Sequence, residues 1–209
     1  MKSGIIFDLD GTLWNTSEQV VPAWNIVLTK HKQKNITNYD MNGFMGKTLD
    51  TISQLMLPHL PHKQAMDILY ECCNEEQVYL SQHGGTLYPD LEKTLHKLSE
   101  TYQLFIVSNC QSGYLDAFFT AHKLKDYFLD YECNGNTGLP KSENIKLVVS
   151  RNNLEYAVYV GDTELDMESA IAAGVPFIFA KYGFGNIDNT TYNIDSISDL
   201  TALDMINIK

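Results

Sequence analysis

The chain has 209 residues, of which 44% are apolar and 20% are charged. This composition excludes a disordered chain, and the length is sufficient for one buried domain with a sizeable insertion. The formal net charge of -11 argues against nucleic acids and anionic membrane surfaces as partners, because both would repel the protein.

The sequence also predicts the cellular compartment of the protein. No apolar stretch approaches membrane-spanning length, and the first residues lead into a strand rather than a signal sequence. The four cysteines show no metal-type spacing and make a poor disulfide framework, which favours reduced thiols. We therefore expect a cytoplasmic protein. The sequence is compatible with a monomer but does not determine the oligomeric state.

The first third of the chain is dominated by helical patterns. After a short apolar strand at 4–7, apolar residues at helical spacing predict helices over residues 14–34, 48–57 and 63–81. No segment between residues 16 and 81 has the pattern of a strand. This all-helical block ends at Gly84-Gly85, a flexible pair that marks a boundary.

From residue 90 onwards, strand and helix patterns alternate. Helices are predicted over 90–101, 113–122, 144–152 and 163–173, strands over 102–107, 127–133, 157–160 and 175–180, and a short closing helix over 196–206. Such alternation is typical of an α/β fold in which helices cover both faces of a parallel sheet. Ligands of such sheets bind beyond the carboxyl ends of the strands.

Two aspartates follow the first strand, in the stretch Gly4-Ile5-Ile6-Phe7-Asp8-Leu9-Asp10-Gly11-Thr12-Leu13. Because side chains of an extended chain alternate in direction, Asp8 and Asp10 point to the same side. Two adjacent carboxylates repel each other unless a metal ion or a transferred group lies between them.

Polar residues also follow two later strands. Ser108-Asn109 comes after the strand at 102–107, and Asp162 with Asp166 comes after the strand at 157–160. Lys141 lies between these two motifs along the chain. If the sheet is parallel, all of these groups converge at one edge.

These four motifs, in this order, closely resemble those of the haloacid dehalogenase-like hydrolases, most of which are magnesium-dependent phosphatases. The resemblance covers residues 1–13 and about 84–185. It implies a Rossmann-like core formed by residues 1–14 and 83–209, with a small helical cap domain of the C1 type inserted at residues 15–82.

The resemblance also implies a role for each motif residue. Asp8 would be the nucleophile that forms an aspartyl-phosphate, and Asp10 the general acid and base. Ser108 would hold the phosphoryl oxygens, with Asn109 assisting, and Lys141 would be a catalytic residue that supplies a positive charge against Asp8 and the phosphate. Mg²⁺ would be bound by Asp8, Asp162, the backbone carbonyl of Asp10, and Asp166 as a second ligand or an outer partner.

Several of these residues have simpler explanations. One alternative is that Thr163-x-x-Asp166 only caps a helix, and another is that Ser108 only caps a helix. The alternative for Lys141, which follows a proline, is a solvated surface lysine. Lys47, in the predicted polar turn at 43–48 of the cap, either meets a second anionic group of the substrate or lies on the surface.

The predicted function is a Mg²⁺-dependent phosphatase that hydrolyses a small phosphorylated metabolite, similar to phosphoglycolate phosphatase-like members of the family. One alternative is a phosphomutase of the β-phosphoglucomutase type, but Leu49 stands three residues after Gly46, where such members usually carry arginine. A dehalogenase would not need Asp10. A non-catalytic phosphate-sensing protein would have no use for the whole set of motifs.

Overall fold

The computed structural model describes residues 2–205 and 208. The strands are β1 (Ser3–Phe7), β2 (Trp14–Asn15), β3 (Thr86–Leu87), β4 (Gln103–Ser108), β5 (Phe128–Cys133), β6 (Tyr156–Gly161), β7 (Phe177–Ala180) and β8 (Asn193–Ile194). Six of them form one sheet in the order β5-β4-β1-β6-β7-β8, and every neighbouring pair in it is parallel. The predicted parallel sheet is confirmed.

Helices surround this sheet. They are α1 (Ser17–Lys30), α2 (Asn38–Phe44), α3 (Leu49–Met56), α4 (His62–His83), α5 (Leu91–Ser99), α6 (Tyr114–His122), α7 (Asn134–Thr137), α8 (Lys141–Arg151) and α9 (Glu164–Ala173). Two 3₁₀ helices lie at Lys125–Tyr127 and Ile197–Ala202. Within the described ranges, no helix is both long and apolar enough to cross a bilayer.

Strand β1 lies at the centre of the sheet and is buried on both faces. Ile5 and Phe7 belong to one apolar cluster, whereas Ile6 belongs to a second cluster on the opposite face. The second cluster includes residues of α8 and α9, and the first includes residues of α5 and α6. Helices therefore cover both faces, as predicted, and alternation along β1 explains why its residues are apolar without interruption.

Helices α1 to α4, here called the helical insert (residues 17–83), lie between β2 and β3. These two strands pair antiparallel to each other, so that the chain leaves and re-enters the rest of the fold at one place. Helix α4 packs against α1 and also against α6 of the main fold. The insert is thus attached through a helix contact as well as through its two connections.

Several predicted boundaries were wrong. The first helix begins at Ser17 rather than at residue 14, because Trp14 is held in β2 and contacts Asp10 through its indole N–H. It ends at Lys30, shortly before Lys32, whose φ of 56° is incompatible with a helix. Residues 43 and 44, predicted as turn, are the last of α2, a helix that the periodicity did not indicate.

The end of the chain also differs. The expected closing helix at 196–206 is the 3₁₀ helix Ile197–Ala202, and residue 206, where the prediction ended it, lies outside the described residues. Helix α8 begins at Lys141 rather than at residue 144, with Pro140 immediately before it. This earlier start matters, because it places Lys141 on a rigid element.

Candidate active site

Asp8 stands directly after β1, at the centre of the sheet's carboxyl edge. Its backbone N–H donates to the carbonyl of Val160 at 2.8 Å, which continues the β1–β6 pairing by one residue. Its Oδ1 accepts a hydrogen bond from Lys141 Nζ at 2.9 Å. Its Oδ2 is buried and has no hydrogen-bond partner within the described chain. One carboxylate oxygen is therefore anchored, and the other is left without a protein partner.

Lys141 is the first residue of α8 and is buried, so the surface alternative does not describe it. Its Nζ lies 2.9 Å from Asp8 Oδ1 and 2.6 Å from Asp166 Oδ1. Burial lowers the pKa of the Lys141 ammonium, but the charges of Asp166 and Asp8 more than offset this effect and raise it overall. Lys141 is therefore a buried cation that joins two carboxylates.

Asp166, in the first turn of α9, has both carboxylate oxygens engaged. Oδ1 accepts from Lys141. Oδ2 accepts from the backbone N–H of Asp162 at 3.2 Å, and from the backbone N–H and the hydroxyl of Thr163 at 2.9 and 2.7 Å. The capping pattern predicted from Thr163-x-x-Asp166 is therefore present. The same side chain caps α9 and fixes Lys141.

Asp162 follows β6 and is completely buried. Its Oδ1 accepts from the hydroxyl of Thr12 at 3.2 Å, and its Oδ2 from the backbone N–H of Phe184 at 2.7 Å. Three glycines approach it closely: a Cβ added to Gly11, Gly183 or Gly185 would lie 2.2, 2.2 or 2.1 Å from the nearest Asp162 atom. Asp162 is thus held in a tight backbone cradle.

The three carboxylates form one cluster. Asp8, Asp162 and Asp166 each offer an oxygen such that these oxygens lie within 4.8 Å of one another. Burial raises the pKa of Asp8 to about 7, with a further increase from Asp166 and a decrease from Lys141. Burial, followed by Asp166 and Asp8, raises the pKa of Asp162 well above its usual range. One lysine does not neutralise three acids, and this excess of buried negative charge fits a divalent cation with oxygen ligands.

Asp10 is oriented by hydrogen bonds to one oxygen. Its Oδ1 accepts from Trp14 Nε1 at 2.9 Å, from the Tyr114 hydroxyl at 2.9 Å and from the Thr16 hydroxyl at 3.3 Å. Burial raises the pKa of Asp10 to about 6, although the hydrogen bonds from Tyr114, Trp14 and Thr16 oppose the rise. A carboxyl group that titrates near neutrality suits both donation and acceptance of a proton.

The predicted phosphate-binding residues lie beside this cluster. Ser108 is the last residue of β4, and its hydroxyl accepts from the backbone N–H of Cys110 at 3.3 Å. Asn109 Nδ2 donates to the carbonyl of Gly46 at 2.9 Å and so links the sheet edge to the helical insert. Lys47 is exposed and lines the same cavity as Asp10, Ser108 and Asn109. The structure therefore brings all of the predicted site residues to one edge of the sheet.

Comparison with known proteins agrees with this geometry. The model of the haloacid dehalogenase-like hydrolase family matches residues 5–180. The chain belongs to this family. Among curated proteins it is similar to phosphoglycolate phosphatases from Aliivibrio fischeri, at 26% identity over 87% of this chain and 85% of the relative, and from Nitrosospira multiformis, at 25% identity over 91% and 88%. The prediction of a phosphatase of this family is confirmed.

Solved structures of other proteins share the fold of this hydrolase. A predicted phosphoglycolate phosphatase from Haemophilus somnus superposes with a TM-score of 0.83 at 22% identity, covering 95% of this chain and 96% of that one. CbbY from Rhodobacter sphaeroides, solved in complex with xylulose-(1,5)bisphosphate, superposes with a TM-score of 0.78 at 18% identity, and 96% of each chain is covered. At these identities the likeness establishes the fold alone.

A further buried acid of the hydrolase lies near Asp10. Glu76, on α4 of the helical insert, is 5% exposed, and its Oε2 accepts from Trp24 Nε1 at 2.9 Å. Burial raises the pKa of Glu76 to about 8; the charge of Asp10 adds to the rise, and the side chains of Trp24, Gln111 and Tyr114 oppose it. The sequence analysis did not single out this residue, because a glutamate within an amphipathic helix carries no local signal of burial.

The raised pKa of Glu76 has a consequence for stability. The unfolded carboxyl ionises near its usual pKa of 4.5, whereas the folded one holds its proton up to about pH 8. The folded state therefore binds more protons between these values, and its stability falls as pH rises through this window. Between about pH 5.5 and 8, the free energy of unfolding of the wild type should fall. The fall should be larger than that of the Glu76→Gln variant by on the order of 3 kcal/mol, because the variant has no carboxyl group to ionise at this position.

Urea unfolding of both proteins at the two pH values measures this difference. Glu75→Gln is the matched control, since Glu75 is the preceding residue of α4 and is exposed. This control should follow the wild-type pH dependence. If the free energies of unfolding of Glu76→Gln and the wild type differed by the same amount at both pH values, the prediction would be contradicted.

Other contributors to the site were missed as well. Thr16 and Tyr114, which orient Asp10, stand outside the family motifs, and no sequence pattern connects residues 98 positions apart. Gly183 and the N–H of Phe184 hold Asp162 from the loop after β7. The two glycines of Gly183-Phe184-Gly185, after a predicted strand, were a signal that a backbone approaches the site closely.

The cradle around Asp162 predicts a large effect of a small substitution. In Gly183→Ala, the new methyl group would lie 2.2 Å from Asp162 Cβ, so that the loop or Asp162 must move. We expect kcat/KM to fall by about 100-fold or more, since a displacement of about 1 Å in a site has effects of this size, and stability to fall by about 1–3 kcal/mol. Steady-state kinetics and thermal unfolding test both effects.

Gly43→Ala is the control for this substitution. A Cβ at Gly43 meets nothing within 4 Å, and the residue lies within α2. We expect unchanged kinetics and a stability that is equal or higher by up to about 1 kcal/mol. Equal losses in the two variants would show that Gly183 has no special relation to Asp162.

Proposed function

We propose that the protein is a Mg²⁺-dependent phosphatase that hydrolyses small phosphomonoesters through an aspartyl-phosphate on Asp8. The observation that carries this proposal is the state of the Asp8 carboxylate. Lys141 holds Oδ1, while Oδ2, at the edge of the sheet, is buried and has no hydrogen-bond partner among the described residues. Fixing one oxygen leaves the other oriented for attack on a bound phosphoryl group.

The residues present fit a magnesium ion. Asp8, Asp162 and the backbone carbonyl of Asp10 would hold it, and these are oxygen ligands, which Mg²⁺ prefers. We assign Asp166 an indirect role, because its two oxygens accept five hydrogen bonds, whereas each oxygen of Asp162 accepts one and keeps a lone pair for an ion. When bound, the ion would offset the negative charge of the acids and of the phosphoryl oxygens.

The first half of the reaction transfers the phosphoryl group to the protein. Asp8 Oδ2 attacks the phosphorus atom, and the bond between phosphorus and the ester oxygen breaks. Asp10 donates its proton to that oxygen, so that the leaving group departs as an alcohol. Ser108, Asn109 and Lys141 bind the phosphoryl oxygens, and Lys141 supplies a positive charge where negative charge accumulates.

The second half releases phosphate. A water molecule attacks the phosphorus atom of the aspartyl-phosphate, and Asp10, now ionised, accepts a proton from it. The bond between phosphorus and Asp8 Oδ2 breaks, which yields inorganic phosphate and restores the Asp8 carboxylate. The three hydrogen bonds to Asp10 Oδ1 support this dual role, because they fix one oxygen of the carboxyl group and leave proton exchange to the other.

We also propose that residues 15–82 act as a cap over the core of residues 1–14 and 83–209. Supporting this, Asn109 bonds to Gly46, and one cavity has walls from both parts, including Asp10 and Lys47. A cap in this position would exclude water during phosphoryl transfer and contact the leaving group. Contact of Lys47 with substrate remains a prediction, as does the cytoplasmic location.

The test is hydrolysis of p-nitrophenyl phosphate with Mg²⁺ and after its removal with a chelator. We expect release of both p-nitrophenol and inorganic phosphate, lost on chelation and restored by added Mg²⁺. Inorganic phosphate distinguishes hydrolysis from transfer within a sugar phosphate, which a mutase would perform. If neither this ester nor any member of a panel of phosphorylated sugars, acids and nucleotides released inorganic phosphate, the proposal would be contradicted.

A further inference from the structure

Glu76 is a buried acid to which the proposed reaction gives no role. It lies on α4 of the helical insert. The other buried glutamate of the described residues, Glu132, forms an ion pair with Arg151 at 3.1 Å. Glu76, in contrast, has no lysine, arginine or histidine of the described chain within ion-pair distance. Because a buried carboxylate is costly without a cation, the hydrogen bonds of Glu76 indicate what it does.

The hydrogen bonds of Glu76 join the insert to the main fold. Its Oε2 accepts from Trp24 Nε1, on α1, at 2.9 Å, and the side chain of Tyr114 is a second hydrogen-bond partner. Tyr114 is the first residue of α6, and its hydroxyl donates to Asp10 Oδ1 at 2.9 Å. Glu76 and Asp10 are therefore connected through one hydroxyl group, and both line the same cavity.

The Tyr114 hydroxyl has only one hydrogen to donate. Asp10 Oδ1 accepts it at 2.9 Å, and the Thr16 hydroxyl lies 3.0 Å from the Tyr114 oxygen. An ionised Glu76 could only accept from Tyr114, and it would compete with Asp10 for this hydrogen. A neutral Glu76 can donate to the Tyr114 oxygen, so that the hydrogen of Tyr114 stays with Asp10. The orientation of the hydroxyl group therefore depends on the form that Glu76 takes.

The surroundings of Glu76 favour its neutral form. Burial raises the pKa of Glu76 to about 8, and the nearby charge of Asp10 adds to the rise. The Trp24 indole offers an N–H donor, which the carbonyl oxygen of a neutral acid accepts. Near neutrality, Glu76 therefore keeps a hydrogen that it can donate to Tyr114.

We propose that Glu76 is a positioning residue for the general acid: it donates a hydrogen bond to Tyr114 and thereby commits the Tyr114 hydroxyl to Asp10. This inference rests on the proposed function. A side chain of the insert then helps to orient the core carboxyl group that protonates the leaving oxygen. The contribution of Glu76 should be largest for esters whose leaving group needs that proton.

The test compares two aryl esters whose leaving groups differ in their need for a proton. p-Nitrophenol leaves readily without one, whereas phenol, with a pKa of about 10 like that of tyrosine, does not. We expect Glu76→Leu and Tyr114→Phe to reduce kcat/KM for phenyl phosphate about tenfold more than for p-nitrophenyl phosphate, since kcat/KM covers the steps up to release of the leaving group. Equal reductions for the two esters, as a merely loosened fold would cause, overturn the inference.

Two further variants show whether Glu76 acts through Tyr114. Glu76→Gln should recover most of the loss seen in Glu76→Leu, because an amide donates to Tyr114 and accepts from Trp24. Glu76→Leu combined with Tyr114→Phe should lose no more than Tyr114→Phe alone. Glu75→Leu, at the exposed preceding position of α4, is the control and should leave kcat/KM for both esters unchanged. Additive losses, or equal impairment of Glu76→Gln and Glu76→Leu, overturn the inference.

Infrared spectroscopy tests the contact without turnover and does not require Glu76→Leu to fold. In protein labelled with ¹³C-glutamate, a neutral Glu76 gives a carbonyl band that carboxylates do not give. We expect this band at pH 7, absent from Glu76→Gln and shifted in Tyr114→Phe. A missing band, or one that Tyr114→Phe leaves in place, overturns the inference. If the band shifts as expected but the wild type hydrolyses no ester, the proposed function fails and the hydrogen bond between Glu76 and Tyr114 stands.

Discussion

The Asp8→Asn variant should lose turnover of p-nitrophenyl phosphate almost completely, with a fall in kcat of about 10⁴-fold or more, as expected when a nucleophile is removed. The amide is close in shape to the carboxylate, and its oxygen still accepts from Lys141 in place of Oδ1. Folding should be retained, because the substitution removes one of three clustered buried acids. Steady-state kinetics and thermal unfolding of the variant measure both effects.

Asp10→Asn is the informative contrast. Its kcat should fall by about 10²–10⁴-fold, the usual contribution of a general acid or base. Since p-nitrophenol is a good leaving group that needs little protonation, the first half of the reaction should continue and the second should stall. We expect a burst of p-nitrophenol equal to the enzyme concentration and, after acid quench, a phosphoryl group on Asp8 by mass spectrometry. Substantial turnover by Asp8→Asn, or a phosphoryl group on another residue, would rule out the nucleophile assignment.

The Lys141→Met variant should be strongly destabilised. Lys141 is the buried cation between Asp8 and Asp166, at 2.9 and 2.6 Å, and all three side chains are almost completely inaccessible. Removing one partner of a buried ion pair leaves uncompensated charge and costs about 3–5 kcal/mol. Denaturant unfolding measures this loss. Added Mg²⁺ should recover part of it, because a cation bound only by the folded state stabilises that state.

Lys146→Met is the matched control on the same helix. Lys146 forms an exposed ion pair with Glu143 at 2.9 Å, and such pairs contribute less than about 1 kcal/mol. If the two methionine variants lost the same stability, the buried network around Lys141 would contribute nothing beyond an ordinary surface pair. If only Lys141→Met also loses activity, the network is tied to the catalytic centre.

Local patterns in the sequence were sufficient for the elements that carry the site. Apolar runs ended by polar residues located β1, β4 and β6 to within a residue or two, and parallel pairing then required their carboxyl ends to meet. For this reason Asp8, Ser108 and Asp162 were correctly placed together. The patterns failed in two places. Trp14 belongs to a strand because its indole N–H donates a hydrogen bond to Asp10, a tertiary contact that outweighs the local preference for a helix. Helix α2 is too short to show a helical period.

The family, the parallel sheet and the meeting of the acidic residues could be predicted from the chain alone, because they follow from motif order and from strand alternation. The hydrogen-bond partners and the burial of each group became visible only in the folded chain. The structure showed that one oxygen of Asp166 accepts from Lys141 and the other caps α9. It also showed that Glu76 of the insert is buried beside Asp10. The physical reason is that hydrogen-bond partners and burial depend on residues distant along the chain, whose approach no local pattern encodes.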